Sequence, residues 1–361
     1  MKKRAFEADN QAYEAWLRTR CDVVEEDLAY KHKRMCKNAF VFLRATYFRW
    51  ALRIEDICPE LKNAPRLLCV GDLHVENFGT WRDGEGRLVW GVNDFDEAAE
   101  MPYVLDLLRL ATSVRLSPAR VISGRMAANA MLDGYRAGLA APRPVLLDEQ
   151  ETWMRPYVAC TDAERARFWD EVDAYETKKP PALLMRDLKR SVPDGAQHLR
   201  YAPRPKRGGG SLGRPRWVVI ADWGGGQVLR EAKALMPSAW DWAHGRPDAA
   251  IRFAKLSNSR YRSPDPFLKV KNGHVQRRIA PDSRKVDLGD EGGGLTGSLL
   301  HAMGFDLASL HAGSKGAVAR IHADLAARPK DWLQRAASAA EKAVREDYEE
   351  WKAVRAGEKR K

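Results

Sequence analysis

Two short stretches, VGDLHVENFG (70–79) and GVNDFDEA (91–98), place acidic and amide side chains beside turn glycines, each set after an apolar run. Asp72, Asn77 and Asp94 supply two carboxylates and an amide oxygen. These are hard ligands suited to magnesium, an ion commonly shared with substrate phosphates. Phosphoryl transfer needs metal across the phosphates and a carboxylate that orients the attacking hydroxyl. One Asp for the hydroxyl, with an Asn and a second Asp for the metal, meets that need. Taken singly, Asp72 or Asp94 reads as a cap on the turn after a strand; the combination is what points to a site. His74 reads as a hydrogen-bonding member of the loop rather than a metal ligand, and Glu76 as solvated. Asp96 and Glu97 either bind a second metal or cap a helix starting at Ala98.

A phosphate cradle occurs far downstream. Gly208-Gly209-Gly210-Ser211-Leu212-Gly213 precedes the strand RWVVIAD, and Lys233 lies on the next strand, QVLREAKAL. Glycines let backbone N–H groups approach phosphate oxygens and adopt positive φ without a Cβ clash. A lysine on a nearby strand completes such a site; a flexible linker is the alternative reading of the glycines. Lys233 needs an acidic partner. Glu231 shares its strand face, and Asp248, at the start of the next helix, is the rival.

The elements that must position these residues are coarse but readable. Residues 10–56 are helical by their apolar spacing. LLCV is a buried strand, RLVWGV (87–92) is another beyond the Asp83–Gly86 turn, and MPYVLDLLRLATSVRL opens a helical region reaching about residue 176. The texture changes at Lys178, where Pro180-Pro181 and PRPKRGGGSLGRPR mark a boundary. Two hairpins follow, turning at Trp223–Gly226 and at Asn272-Gly273, with a helix around 248–260 between them. GDEGGGLTG (289–297) is a connection, and helices fill the rest, interrupted at Pro329. This divides the chain into a helical region (1–177) carrying the acidic loops, a smaller β-rich region (178–288) carrying the glycines, and C-terminal helices (289–361) packed back on the first.

Composition narrows the classes. The opening MKKRAFEADNQAYEAW has no apolar h-region, so no secretory signal is expected, and no apolar run reaches membrane-spanning length. Five cysteines without a CxxC pair argue against a disulfide framework or cysteine zinc site and fit a reducing cytoplasm. The net charge is +12, and residues 186–216 alone carry nine Lys/Arg against two Asp. Such a stretch meets nucleic acid, an anionic surface or nucleotide phosphates, or is simply solvated. Asp72-Leu73-His74 also fits a DxH metallophosphoesterase motif, but the further His and Asn ligands a two-metal site needs are missing from the sequence.

GDLHVEN followed by VNDFDEA resembles the catalytic and metal-binding loops of the aminoglycoside phosphotransferase and choline kinase group of kinase-like enzymes, whose pattern is roughly HGDxHxxN and then IDFxxA. The helix that follows there opens Pro-x-x-x-Asp-Leu, as Pro102 to Leu107 does here. The resemblance implies that Asp72 is the catalytic base, that Asn77 and Asp94 bind magnesium, and that Asp106 supports the loop. Val70 stands where that group has His, so support must come from elsewhere. FDLASLHAGS is similar to the helix that precedes the catalytic loop in those enzymes and is expected to pack beside it. A closer resemblance, over nearly the whole chain, is to the uncharacterised bacterial domain-of-unknown-function 2252 family, which brings no assigned reaction with it.

The expected fold is α/β (α+β), two-lobed and protein-kinase-like, with the lobes circularly permuted because the acidic loops precede the glycine loop. The expected ligands are Mg2+ and ATP, with a small-molecule hydroxyl as acceptor. The acceptor walls are sought among helices 107–176 and the N-terminal helices, including Arg44. A nucleotide-binding pseudokinase, an AMP-transferring protein and, less favoured, a basic nucleic-acid-binding protein are the alternatives. If the two halves share one triphosphate, the charged atoms of Lys233 and Asp94 should lie within roughly 10 Å.

Overall fold

A computed structural model describes residues 5–205, 209–285 and 294–358. Gly208 and residues 289–293 of the expected connection lie outside the described residues. The N-terminal helical stretch is divided into α1 (Phe6–Arg18), α2 (Glu25–Met35), α3 (Ala39–Ala45) and α4 (Tyr47–Ile57). Asn38 makes one of these breaks by accepting the Val41 N–H at 2.8 Å, a side-chain cap on α3. Then come β1 (Arg66–Cys69), β2 (Phe78–Arg82), β3 (Leu88–Val92) and β4 (Ala99–Pro102). The sequence reading missed β2 and ran β4 into the following helix. Four of the five residues of β2 are buried, so the alternation that betrays a half-buried strand is missing. β1 pairs with β4, while β2 pairs with β3 across the Asp83–Gly86 turn.

Helices α5 (Val104–Leu116) and α6 (Gly124–Ala140) lead to a two-residue β5 (Val145–Leu146) on the edge of β3, and then to α7 (Asp162–Asp173). After α8 (Ala182–Lys189) come β6 (Gln197–Pro203), β7 (Arg216–Trp223) and β8 (Gly226–Ala234). Of the helix expected at 248–260 only a short one forms, α10 (Phe253–Ser257), and a further short helix, α9 (Ala239–Ala243), precedes it. The hairpin of β9 (Lys269–Lys271) and β10 (His274–Ile279) turns on Asn272 and Gly273, both at positive φ, as a two-residue hairpin loop requires. These strands form one antiparallel sheet in the order β6-β7-β8-β10-β9. One face packs on α8 through Leu184 and Leu188, the other on α7 through Phe168 and Val172. The chain ends in α11 (Gly297–Ala312), α12 (Ala317–Ala327) and α13 (Trp332–Glu358). The architecture is mixed α+β with small open sheets. Among the described residues, no helix is long and apolar enough to cross a membrane, and all five cysteines are free.

The largest core packs the N-terminal helices, α5, α6, α11 and α13 around β1–β4. Helices α6 and α11 cross so closely that a side chain at Gly304 would fall on the Met131 carbonyl, and one at Gly138 would meet Ala308 Cβ at 2.8 Å. That contact fixes the face α11 turns to the small sheets. There Asp306, buried, accepts the Val92 N–H at 2.8 Å, with Arg262 the cation nearest in effect. Burial raises the Asp306 carboxyl to about 6, against the weaker opposing pull of Arg262. A carboxyl raised in the fold favours the protonated native state, so its contribution to stability is lost as pH rises through about 4 to 6. Asp306→Asn keeps an oxygen for Val92 and removes that titration. Its stability relative to the parent should therefore rise by about 1–3 kcal/mol between pH 4 and pH 7 in denaturant titrations. A parallel pH profile for the two proteins would show that Asp306 titrates normally.

Candidate functional site

The loop after β1 is held by one carboxylate. Asp106, fully buried on α5, accepts the Val70 N–H at 2.7 Å and the Gly71 N–H at 2.9 Å. His311 Nε2 lies 3.1 Å from the same carboxylate, and its Nδ1 lies 2.7 Å from the Tyr135 hydroxyl. An Nε2–H tautomer satisfies both contacts: Tyr135 donates to Nδ1 and Nε2 donates to Asp106. Gly71 sits at φ +85°, and a Cβ there would strike the Glu97 carbonyl, so both its conformation and its surroundings require glycine. The helix FDLASLHAGS, part of α11, thus reaches the loop through His311.

Beyond Gly71 the chain presents Asp72, His74 and Asn77 to a cavity of about 50 Å³. Asn77 donates its Nδ2–H to the Asp72 carbonyl at 2.7 Å, which leaves its Oδ1 as the outward oxygen. Arg109, fully buried on α5, donates from Nε at 2.9 Å and also from Nη2 to Asp72 Oδ1, and holds the Leu43 carbonyl at 2.9 Å. Its guanidinium lies over the Tyr47 and Trp50 rings, 4.9 and 5.1 Å from their centroids. Burial raises the Asp72 carboxyl above its ordinary value, and Arg109 offsets part of that rise. His74 is held well below its ordinary range by burial and then by Arg44 and Lys285, so the ring is neutral. Its Nδ1 has no hydrogen-bond partner among the described residues. Glu76, expected to be solvated, pairs with Arg44 at 2.6 Å.

The second acidic stretch faces the same cavity. Lys233 Nζ lies 3.5 Å from Asp94 Oδ1 and 2.6 Å from Asp96 Oδ2. Burial alone would raise Asp94, but Lys233, followed by Lys285 and Arg277, outweighs it and holds that carboxyl well below the usual range. Asp96 moves up instead, through burial and the neighbouring Asp94. Its Oδ1 is buried without a hydrogen-bond partner among the described residues. The expected helix at Ala98 is not formed, because β4 runs there. Glu97 caps a different helix, accepting the Ala239 N–H of α9 at 2.6 Å and an Arg214 N–H at 2.7 Å.

Of the glycine loop, Gly209, Gly210 and Ser211 line the cavity. A Cβ on Gly210 would lie 2.8 Å from the Arg44 carbonyl and 3.2 Å from Asp72 Oδ2, so the loop rests directly on the Asp72 stretch. Gly213, at φ +95°, packs against Leu28 instead. Neither expected partner of Lys233 is its partner. Glu231 is taken by Arg204, Arg216 and Arg277 at 2.6, 3.3 and 2.7 Å, and Asp248 pairs at the surface with Arg20.

The sequence reading missed Arg109 and Arg214, two buried arginines that each hold a carboxylate of the site. Arg109 had a signal: like Asp106, it is a charge in a largely apolar run, VLDLLRLATSV, and must find a buried partner. Arg214 had none, since it stands in a segment rich in arginine.

Cys69, Asp106 and His311 are buried with ligand atoms within 4.8 Å of one another, a set that could coordinate a metal. In the structure the Asp106 oxygens hold two backbone amides and His311, and Cys69 Sγ–H donates to the Met101 carbonyl at 3.5 Å. Those bonds account for the cluster as a hydrogen-bonded clamp. Asp106→Ala should then lower stability by about 3 kcal/mol or more, since two buried amides lose their acceptor. EDTA should leave the unfolding midpoint of the parent unchanged; a fall of several degrees would instead mark the cluster as a metal centre.

Among known protein families, the one described as "Uncharacterized protein conserved in bacteria (DUF2252)" matches residues 20–140. Neither a curated protein nor a solved structure matches the chain. The matched segment holds Asp72, Asn77, Asp94, Asp106 and Arg109, and stops short of the glycine loop and Lys233.

Proposed function

We propose that this chain is an ATP- and magnesium-dependent phosphotransferase of kinase-like architecture in permuted chain order, acting on a hydroxyl of a small molecule. The observation that carries the reading is the meeting of its two halves: Lys233 stands on Asp94 and Asp96, and Gly210 on Asp72. The order of elements in the five-stranded sheet adds support. The glycine loop joins its first two strands, and Lys233 lies on the third, as the phosphate-binding lysine does in protein kinases. After β10 the chain runs along β2, where the Thr80 N–H donates to the Arg284 carbonyl at 2.8 Å. A groove of about 440 Å³ opens there, lined by Trp81, Phe168 and Ile279, with Lys285 shared with the smaller cavity. The groove suits a nucleoside and the cavity the phosphate end.

Asp94 and the Asn77 Oδ1 are the hard ligands that would hold magnesium, with the unpartnered Asp96 Oδ1 as a further oxygen. When bound, the ion would neutralise and orient the phosphates. Asp72 accepts the proton of the acceptor hydroxyl as that oxygen bonds to phosphorus and the bond to the ADP oxygen breaks. Arg109 commits Oδ1, which leaves Oδ2, on the Gly210 side, for the proton. The nucleic-acid alternative weakens because three arginines of the basic segment, Arg204, Arg214 and Arg216, turn inward onto buried carboxylates.

Asp94→Asn keeps the shape and removes the anionic ligand, so magnesium-dependent ATP binding should disappear in calorimetry while the fold persists. Equal affinity in variant and parent would sink the metal assignment. Asp72→Asn should leave nucleotide affinity intact and slow ATP consumption with a responsive metabolite by about 10²–10⁴-fold. An unchanged rate would reduce Asp72 to a turn residue.

A further inference from the structure

Glu231 is 1% exposed and stands at the centre of three guanidiniums. Arg277 lies directly across from it on β10, giving Nε at 2.9 Å and Nη2 at 2.7 Å to Oε1. Arg204 Nη1 reaches Oε2 at 2.6 Å, and Arg216 Nη1 reaches Oε1 at 3.3 Å. Arg216 pairs in register with Lys233, and Lys233 follows Glu231 by two residues, so the cluster and the lysine share one sheet face.

Glu231 is the one carboxylate that all three bond, while Asp94 and Asp96 act on Arg216, and Asp94 on Arg277, from farther away. Three guanidiniums thus share one directly bonded carboxylate on a largely desolvated face, an arrangement that a further anion would complete. A structural staple needs only one arginine. The surplus also has an outlet. Arg204 and Arg277 line the larger groove, while Arg216 donates to Ser211 of the glycine loop at 2.6 Å, on the wall of the smaller cavity. Arg216 Nε is buried and lacks a partner among the described residues. Cations spread from the groove to the cavity suit an extended anion rather than a single carboxylate or phosphate.

We propose that Arg204, Arg216 and Arg277, gathered by Glu231, form a seat for a polyphosphate chain. The inference rests on the nucleotide reading above and gives it a detail. The Lys233 ammonium is engaged by Asp94 and Asp96, and the arginines take the phosphates nearer the nucleoside.

The full-length parent, Arg277→Gln and Arg204→Gln are titrated by calorimetry with Mg–ATP, inorganic tripolyphosphate and adenosine, after their unfolding midpoints have been compared. Each substitution should weaken ATP and tripolyphosphate by about 10–100-fold, the worth of a charged hydrogen bond, and leave adenosine unchanged. Parent-like tripolyphosphate and ATP affinity in both folded variants overturns the seat and leaves the phosphotransferase reading standing. A parent that binds tripolyphosphate through these arginines but not ATP keeps the seat and ends that reading. A parent that binds neither overturns both. If one variant fails to fold, the other decides.

Discussion

Asp106 is the point on which the geometry of the site depends. Its carboxylate is buried and accepts two consecutive backbone amides, so the 70–71 peptide can take one orientation only. The same helix face then continues the work. Arg109, three residues on, fixes the Asp72 carboxylate, and Ser113 Oγ, four further, accepts the Val75 N–H at 3.1 Å. Positions 106, 109 and 113 recur at helical spacing, so one stripe of α5 sets the whole loop. His311 and Tyr135 bind the stripe to α11 and α6. The tight crossing of those two helices therefore reaches the loop through a chain of hydrogen bonds.

Charge is distributed with similar care. Asp72, Asp94, Asp96 and Glu97 crowd one cavity, and four acids so close cannot all ionise without cations between them. Each has one: Arg109 for Asp72, Lys233 for Asp94 and Asp96, Arg214 for Asp96 and Glu97. The ions come from three different parts of the chain, so each pair also fastens one segment to another. Under the proposed reading, Lys233 exchanges part of its contact with the carboxylates for phosphate oxygen. Asp94 is held low by Lys233 first, against burial that raises it, so in that exchange a cation must remain beside it for the acid to stay ionised.

Much of this was legible in the sequence, and the limits have physical causes. Asp72, Asn77 and Asp94 stood out because oxygen ligands beside turn glycines after apolar runs form a local pattern, and the three do line one cavity. Lys233 was legible because it lies one hairpin beyond a glycine-rich loop. What could not be read were partners that depend on distance through space. Glu231 shares a strand face with Lys233, yet cross-strand Arg277 and the two other arginines reach it. One of the two readings of Glu97, beside a second-metal ligand, was a cap on a helix at Ala98; it caps one 142 residues away. Strands β2 and β4 escaped because burial on both faces, in one, and a run into a helix, in the other, erase the alternation that marks a strand.

The separation of the two halves along the chain is no obstacle to their sharing one site. Lys233 and Asp94 are 139 positions apart, but closure entropy grows only with the logarithm of that interval. Doubling the intervening chain would cost only about 0.6 kcal/mol more. Contacts elsewhere offset such a cost: the first described helix packs on the last through Phe6 and Trp351, whose rings lie 5.5 Å apart. Arg49 of α4 holds both Asp9 of α1 and Asp347 of α13. Chain order then constrains the chemistry very little. A lysine on a rigid strand, a glycine loop over a carboxylate and a pair of hard oxygens define the same electrostatic environment whichever is translated first. The proposed reaction depends on that environment, and the environment depends on Asp106 and the helix stripe behind it.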